Sequence, residues 1–159
     1  KPIYLGGLHK LAGIDSPAFN KYKLRNNIND CNLVSEKNNI EFKWNSNFPI
    51  NSLNIMRGYI SVSKDKQNDY LNCFFDAYWK DNNDLSNVEN MSKLITDLNI
   101  DSKEFFQSIK EQSVKDKLIK LTTDAFQKEV FGTPTFIVNN KIFWGQDRLE
   151  YALEEFSAN

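Results

Sequence analysis

The stretch that most constrains this chain is Val130–Phe156, VFGTPTFIVNNKIFWGQDRLEYALEEF, which reads as strand, tight turn, strand and helix with a proline at its mouth. Proline has no N–H to give a sheet and is confined to strand starts, edges and bulges. Thr135–Val138 and Ile142–Trp144 are β-branched and aromatic runs. Asn139-Asn140 between them tolerates positive φ, so a two-residue type I′ hairpin is expected. Gly145 ends the second strand, and Gln146 and Asp147 open a last helix expected to turn Leu149, Leu153 and Phe156 inward.

That helix start has chemical capacity. Its first-turn N–H groups lack helical partners and attract a carboxylate, while the Asp147 carboxylate can hold an ammonium beside it. One spot with both capacities suits an α-amino acid end. Capping its own helix is the commoner role for such a residue, and from the residues alone the cap is favoured over the ligand role for Asp147. A trans Thr133-Pro134 bond is the base-rate expectation. A cis bond would leave the Thr133 N–H and C=O free to pair with an extended ligand, adding one strand-like rung.

The rest of the chain sets bounds. At 159 residues it is one domain's worth, and 20 Lys plus Arg against 21 Asp plus Glu give no reason to expect a nucleic-acid or membrane-surface partner. Twelve Phe, six Tyr and three Trp against six Gly and four Pro argue for a packed, helical protein. No apolar run approaches the ~20 residues of a membrane span. Cys31 and Cys73 stand far apart and His9 is the single histidine, so no metal site is expected. The two thiols read as ordinary buried or half-buried ones in a reducing, cytoplasmic setting, a structural disulfide between them being the unsupported alternative. Lys1-Pro2-Ile3-Tyr4-Leu5 looks like a strand entered part-way, so a preceding segment is expected.

Between these ends the pattern is helical. Gly6-Gly7 breaks the opening strand and begins a loop with His9, Lys10 and Gly13; Ser16-Pro17 starts a helix whose rough face, Phe19, Tyr22, Ile28 and Val34, runs to about Asn38. Phe48-Pro49 marks a turn, and Leu53, Met56, Tyr59 and Ile60 follow at helical spacing. Tyr70, Leu71, Phe74, Phe75, Tyr78 and Trp79 make one broad stripe, suited to core or subunit contact. Ser86-x-x-Glu89 and Asp101-x-x-Glu104 are capping-box spacings. A helix from about Ser113 to Val130 should turn Val114, Leu118, Leu121 and Phe126 inward, with Lys115, Lys117 and Lys120 on a solvated face. One opening strand and a ββα unit make a poor sheet alone, so a larger mixed sheet is expected.

The strand-initiating X-Pro-Thr before ββα resembles the C-terminal half of a thioredoxin fold, whose proline at this place is cis. More narrowly, FGTPTFIVNNKIFWGQDRLEYALEEF is similar to the C-terminal signature of the 2-hydroxychromene-2-carboxylate isomerase family, relatives of kappa-class glutathione transferases. KPIYLGGLHKLAG resembles that family's second strand and loop, and FPINSLNIMRG its internal helix start. The resemblance implies an α/β, DsbA-like thioredoxin fold, split into 1–15 and 131–159, with a helical insertion over 16–130 and its first βα unit preceding Lys1. It implies glutathione as cofactor: Thr133 and Pro134 pair with its cysteinyl part, and Gln146 and Asp147 bind the γ-glutamyl end on a turn shaped by Trp144 and Gly145. Lys10 and Asn54 are weaker site-lining candidates, otherwise a solvated lysine and a plain helix residue. Asp15 is a third, because Gly13-Ile14 replaces the family's Gly-Asn. The thiol-activating serine would precede Lys1.

The expected activity is therefore a glutathione-dependent isomerase acting on a conjugated aromatic small molecule, as a cytoplasmic homodimer. The alternative is a DsbA-like thiol–disulfide oxidoreductase whose CxxC lies in the preceding segment; the WGQDR turn, which unfolded-protein substrates do not require, weighs against it. A third reading, a binding domain without catalysis, draws on Ile14.

Overall fold

Helices in the middle of this chain begin where a short polar side chain can take the first free amides. Asn20 accepts from Tyr22 and Lys23, Asn87 from Glu89 and Asn90, and Asp101 from Glu104. The computed structural model describes residues 1–158. In order, the helices are α1 (Leu5–Ala12), α2 (Lys21–Lys37), α3 (Leu53–Ser61), α4 (Gln67–Trp79), α5 (Val88–Asp97), α6 (Ser102–Ser108), α7 (Gln112–Gln127) and, after the hairpin β1 (Thr135–Val138) and β2 (Lys141–Trp144), α8 (Leu149–Ser157). The cap before α5 is Asn87 rather than the expected Ser86. Both are good capping residues, but Ser86 is taken by Asp84, whose Oδ1 accepts from its N–H at 2.9 Å and its hydroxyl at 2.5 Å.

The main core lies where α3, α4, α5 and α6 meet, around Tyr70, Phe74, Tyr78, Met91, Ile95 and Phe105. The expected stripe on α4 splits. Tyr70, Phe74, Ala77 and Tyr78 are buried, whereas Leu71 and Phe75, one step round the helix, face solvent. Tyr70 stacks on Phe74 at 4.2 Å and spends its hydroxyl on the Ile55 carbonyl at 2.9 Å. A second cluster, Ile60, Val114 and Leu118 with Leu53, Met56 and Leu121 against it, joins α3 to α7. Phe126, expected inward, is instead exposed. On the α2 side, Phe19 and Tyr22 are exposed and Ile28 and Val34 are half-buried.

The opening residues correct a second expectation. Lys1–Tyr4 form no strand, and Leu5–Ala12 is helical, so His9 and Lys10 lie on a helix rather than in a loop. Among the described residues no strand lies beside this segment to pair with it. The Tyr4 N–H instead donates to Thr122 Oγ1 on α7 at 3.0 Å, and its carbonyl accepts from Leu8. The Tyr4 ring lies against Gly6 and Gly7, where a Cβ would meet its atoms at 3.1 and 3.0 Å. The glycine pair thus admits a ring rather than breaking a strand. Leu8 is fully buried, and α1 packs on α7.

The described sheet has two strands, not the larger mixed sheet expected; β1 and β2 pair antiparallel in the register Thr135↔Trp144 to Val138↔Lys141. Asn139 and Asn140 adopt φ of 49° and 60°, the type I′ signature. Asparagine also turns left-handed corners at Asn39, Asn82 and Asn99. The hairpin packs on α8, where Ala152 is the buried residue, while Leu149, Leu153 and Phe156 are exposed. A narrow hairpin covers only the one side of α8 on which a small residue allows close approach.

Gly58, buried in α3, tests the main core. Alanine in a helix interior outperforms glycine by about 1 kcal/mol. A methyl here, however, would run into the Tyr70 hydroxyl and stand 2.6 Å from Phe105 Cζ. Overpacking typically costs about 1–3 kcal/mol, so Gly58→Ala should lower the urea midpoint. An unchanged or raised midpoint would mean that the Tyr70–Phe105 cluster yields.

Candidate functional site

Gly145 organises the mouth of the hairpin. Its φ of 101° and ψ of 152° belong to a region open essentially to glycine. In that conformation its N–H reaches the Pro134 carbonyl at 2.9 Å, one step beyond the last ladder pair, Thr135↔Trp144. The Thr133-Pro134 peptide is cis. Thr133 is exposed, and among the described residues nothing hydrogen-bonds its backbone N–H or C=O. An extended ligand would find one donor and one acceptor there.

Asp147 stands over the same turn. Its Oδ1 fills the space that a Cβ on Gly145 would need, so this glycine is required by contact as well as by φ. Its Oδ2 accepts from Arg148 Nη1 at 3.0 Å. Neither the 3₁₀ turn Gln146–Arg148 nor α8 receives a side-chain cap, so Asp147 does not serve as one. The Arg148 guanidinium lies 5.6 Å over the Tyr151 ring. Gln146 is exposed beside Asp147.

Trp144 crosses from β2 toward the residues before the proline. Its Nε1 lies 2.5 Å from where a Cβ on Gly132 would stand, and its ring is 5.1 Å from that of Phe131 at a 59° tilt. Thr135 Oγ1 donates to the Gly132 carbonyl at 2.7 Å, closing the bend that carries Thr133 and Pro134. The far end of the hairpin is pinned to α8. Lys141 Nζ meets Glu155 Oε2 at 2.6 Å, and Asn139 Nδ2 donates to Glu155 Oε1 and to its backbone carbonyl.

The structure therefore gathers Thr133, Pro134, Trp144, Gly145, Gln146 and Asp147 at one end of the hairpin. It does not join Lys10, Asp15 or Asn54 to them. Lys10 is exposed in the last turn of α1, Asp15 just beyond it, and Asn54 in the first turn of α3. None of these side chains makes a hydrogen bond or ion pair among the described residues. Two groups went unread in the sequence. Phe131 borders the site, two residues before Thr133, and Arg57, three residues after Asn54, buries its Nε without a partner among the described residues. The run Leu-Asn-x-Met-Arg contained the second; nothing in spacing marked the first. No group of three or more His, Cys, Asp or Glu able to hold a metal occurs among the described residues.

The clip to α8 makes a pH prediction. Hydrogen bonds from Lys141 and then Asn139 hold the Glu155 carboxyl below its ordinary 4.5. A depressed carboxyl contributes stability above its unfolded pKa and loses it as pH falls through the folded one. Glu155→Gln should therefore melt below the wild type at about pH 7, and the gap should close by about pH 3. A gap that stays constant would exclude the ion pair as its source.

Comparison with known proteins was consistent across sequence and structure. A DsbA-like thioredoxin domain model matches residues 1–157. A 2-hydroxychromene-2-carboxylate isomerase of Sphingobium xenophagum is 33% identical over 55 residues, 35% of this chain and 28% of that protein. One from Pseudomonas sp. (strain C18) is 28% identical over 92 residues, 57% of this chain and 43% of that protein. Each match thus spans less than half of the relative's length. A solved selenomethionine 2-hydroxychromene-2-carboxylate isomerase superposes with a TM-score of 0.85 at 21% identity, over 98% of this chain and 77% of that one. With the family model covering nearly the whole length, this chain belongs to the DsbA-like thioredoxin domain family.

Proposed function

We propose that this chain binds glutathione at the hairpin mouth and works as a glutathione-dependent isomerase on a conjugated aromatic carboxylate, the 2-hydroxychromene-2-carboxylate type for which its relatives are named. The observation that carries this reading is the unpaired Thr133 backbone beside the Asp147 carboxylate, both held on one turn by the Gly145–Pro134 hydrogen bond. When bound, glutathione supplies a thiolate, the nucleophile that adds reversibly to a conjugated double bond.

The residues here would do the positioning. The Thr133 N–H and C=O pair with the peptide of the cysteinyl part, fixing its height above the sheet end. Asp147 holds the α-ammonium through the oxygen that Arg148 does not occupy. The open amides of the Gln146–Arg148 turn face the α-carboxylate. Held at its γ-glutamyl end and at its cysteinyl middle, the tripeptide presents its thiol with little freedom left to lose on reaction.

The proposal extends to a homodimer, with the exposed Leu71 and Phe75 of α4 as its contact; sedimentation as a monomer at high concentration would remove that part. The oxidoreductase reading draws on the family model, and its chemistry needs a low-pKa thiol. Cys31 and Cys73 are both free, and burial pushes both thiols up, Asp30 adding to the shift at Cys31 and Asp97, Asp76 and Asp81 at Cys73. Neither suits that role; the CxxC of that reading is expected instead in the segment before Lys1.

Asp147→Asn is the test. Losing a charge-assisted hydrogen bond, worth about 1.5–3 kcal/mol, should weaken glutathione roughly 10- to 150-fold by calorimetry. Because Asp147 caps no helix, the melting temperature should hold. Unchanged affinity would drop Asp147 from the site.

A further inference from the structure

Beside the Thr133 backbone stand two aromatic side chains, Phe131, which the positioning of glutathione does not use, and Trp144, whose part in it is to shape the turn. Phe131 is 42% exposed and Trp144 53%, no more than several other rings of the chain such as Phe75 and Tyr151, but these two adjoin Thr133. They are not loose. Gly132 has no side chain, which lets the Trp144 indole lie against the backbone, and the Thr135 hydroxyl holds the Gly132 carbonyl in place. The two rings pack against each other, tilted at 59° with centroids 5.1 Å apart. The indole Nε1–H has no acceptor among the described residues. The site thus offers the exposed parts of two packed rings and an indole donor without an acceptor among the described residues, adjoining the residue that would hold the thiol.

We infer that Phe131 and Trp144 form the platform for the planar aromatic substrate, with Trp144 Nε1–H donating to an oxygen carried on the ring or its conjugated arm. This inference rests on the proposed function, since it places the electrophile next to Thr133. Its ligand class is a flat aromatic bearing a carboxylate, phenolate or carbonyl oxygen. An aliphatic carboxylate would gain the donor but not the stack, and a plain arene the stack but not the donor. Aromatic stacking and the indole N–H are separable contributions, so two substitutions at one position resolve them.

The probe is 2-hydroxycinnamate, titrated into full-length protein labelled with 5-fluorotryptophan and followed by fluorine NMR. The three tryptophan signals are assigned with single Trp→Phe variants. On titration the Trp144 signal should move saturably, while those of Trp44 and Trp79 stay. Measured by calorimetry, which needs no tryptophan signal, Trp144→Ala should weaken the probe by about 10- to 100-fold, and Trp144→Phe, which keeps a plane and loses the donor, by less. Phe131→Ala, read on the Trp144 signal, should also weaken it. Cyclohexanecarboxylate, which has the oxygen and no plane, should move the signal only at concentrations well above those needed for 2-hydroxycinnamate. A Trp144 signal unmoved by 2-hydroxycinnamate, or equal affinity in wild type and Trp144→Ala, overturns the inference. Glutathione is titrated separately by calorimetry. Protein that binds glutathione without moving Trp144 under the probe refutes the platform alone. Protein that binds the probe at Trp144 but no glutathione supports the platform and refutes the proposed function.

Discussion

A single backbone hydrogen bond, from the Gly145 amide to the Pro134 carbonyl, sets what the end of this chain can be. It extends the hairpin one step past its last ladder pair, and it forms because Gly145 adopts backbone angles closed to other residues. From it follow the bend that leaves Thr133 outside the ladder, the place of Asp147 over the glycine, and the direction in which α8 departs. The helices contribute differently. They bury Tyr70, Phe74 and Phe105 and hold α3 against α7, giving the terminal unit a fixed body to emerge from.

Much of that terminal unit was legible in the sequence, because its signals are local. Asparagines at the turn, β-branched and aromatic strands and a glycine at the strand end each act within a few residues. The opening of the chain was not legible, for the opposite reason. Ile3-Tyr4-Leu5 reads as a strand by residue type, yet what decides its conformation is the Thr122 hydroxyl, 118 positions away, which takes the Tyr4 amide. The cap at Asn87 was missed by one residue because Asp84 competes for Ser86, a contest that spacing does not display. On α8, the inward turn of Leu149, Leu153 and Phe156 presumed a broad partner surface, and a two-stranded hairpin reaches only Ala152. In the site itself, residue types favoured a cap role for Asp147, which the structure does not give it. The fold-back over Gly145 and the bond to Arg148 are matters of three-dimensional position.

The evidence for family and for activity differ in kind. A domain model spanning residues 1–157 and a superposition at a TM-score of 0.85 concern the course of the chain. Activity concerns a handful of groups, and folds of this sort host more than one chemistry. The two cysteines illustrate why the site matters more than the fold. A thioredoxin-like frame is compatible with thiol exchange, but burial raises the pKa of Cys31 and Cys73, so these two thiols are not the ones to carry it.

The left-handed corners at Asn39, Asn82, Asn99, Asn139 and Asn140 carry a consequence for the unfolded chain. Glycine would enter these conformations with less local cost, but it also roams more widely before folding and so has more freedom to surrender. Asparagine accepts some torsional discomfort in the native corner in exchange for a narrower denatured ensemble. With only six glycines in 159 residues, this protein turns most of its sharp corners on a residue that was never fully free. Part of its order is therefore held in reserve in states where no contact has yet been made.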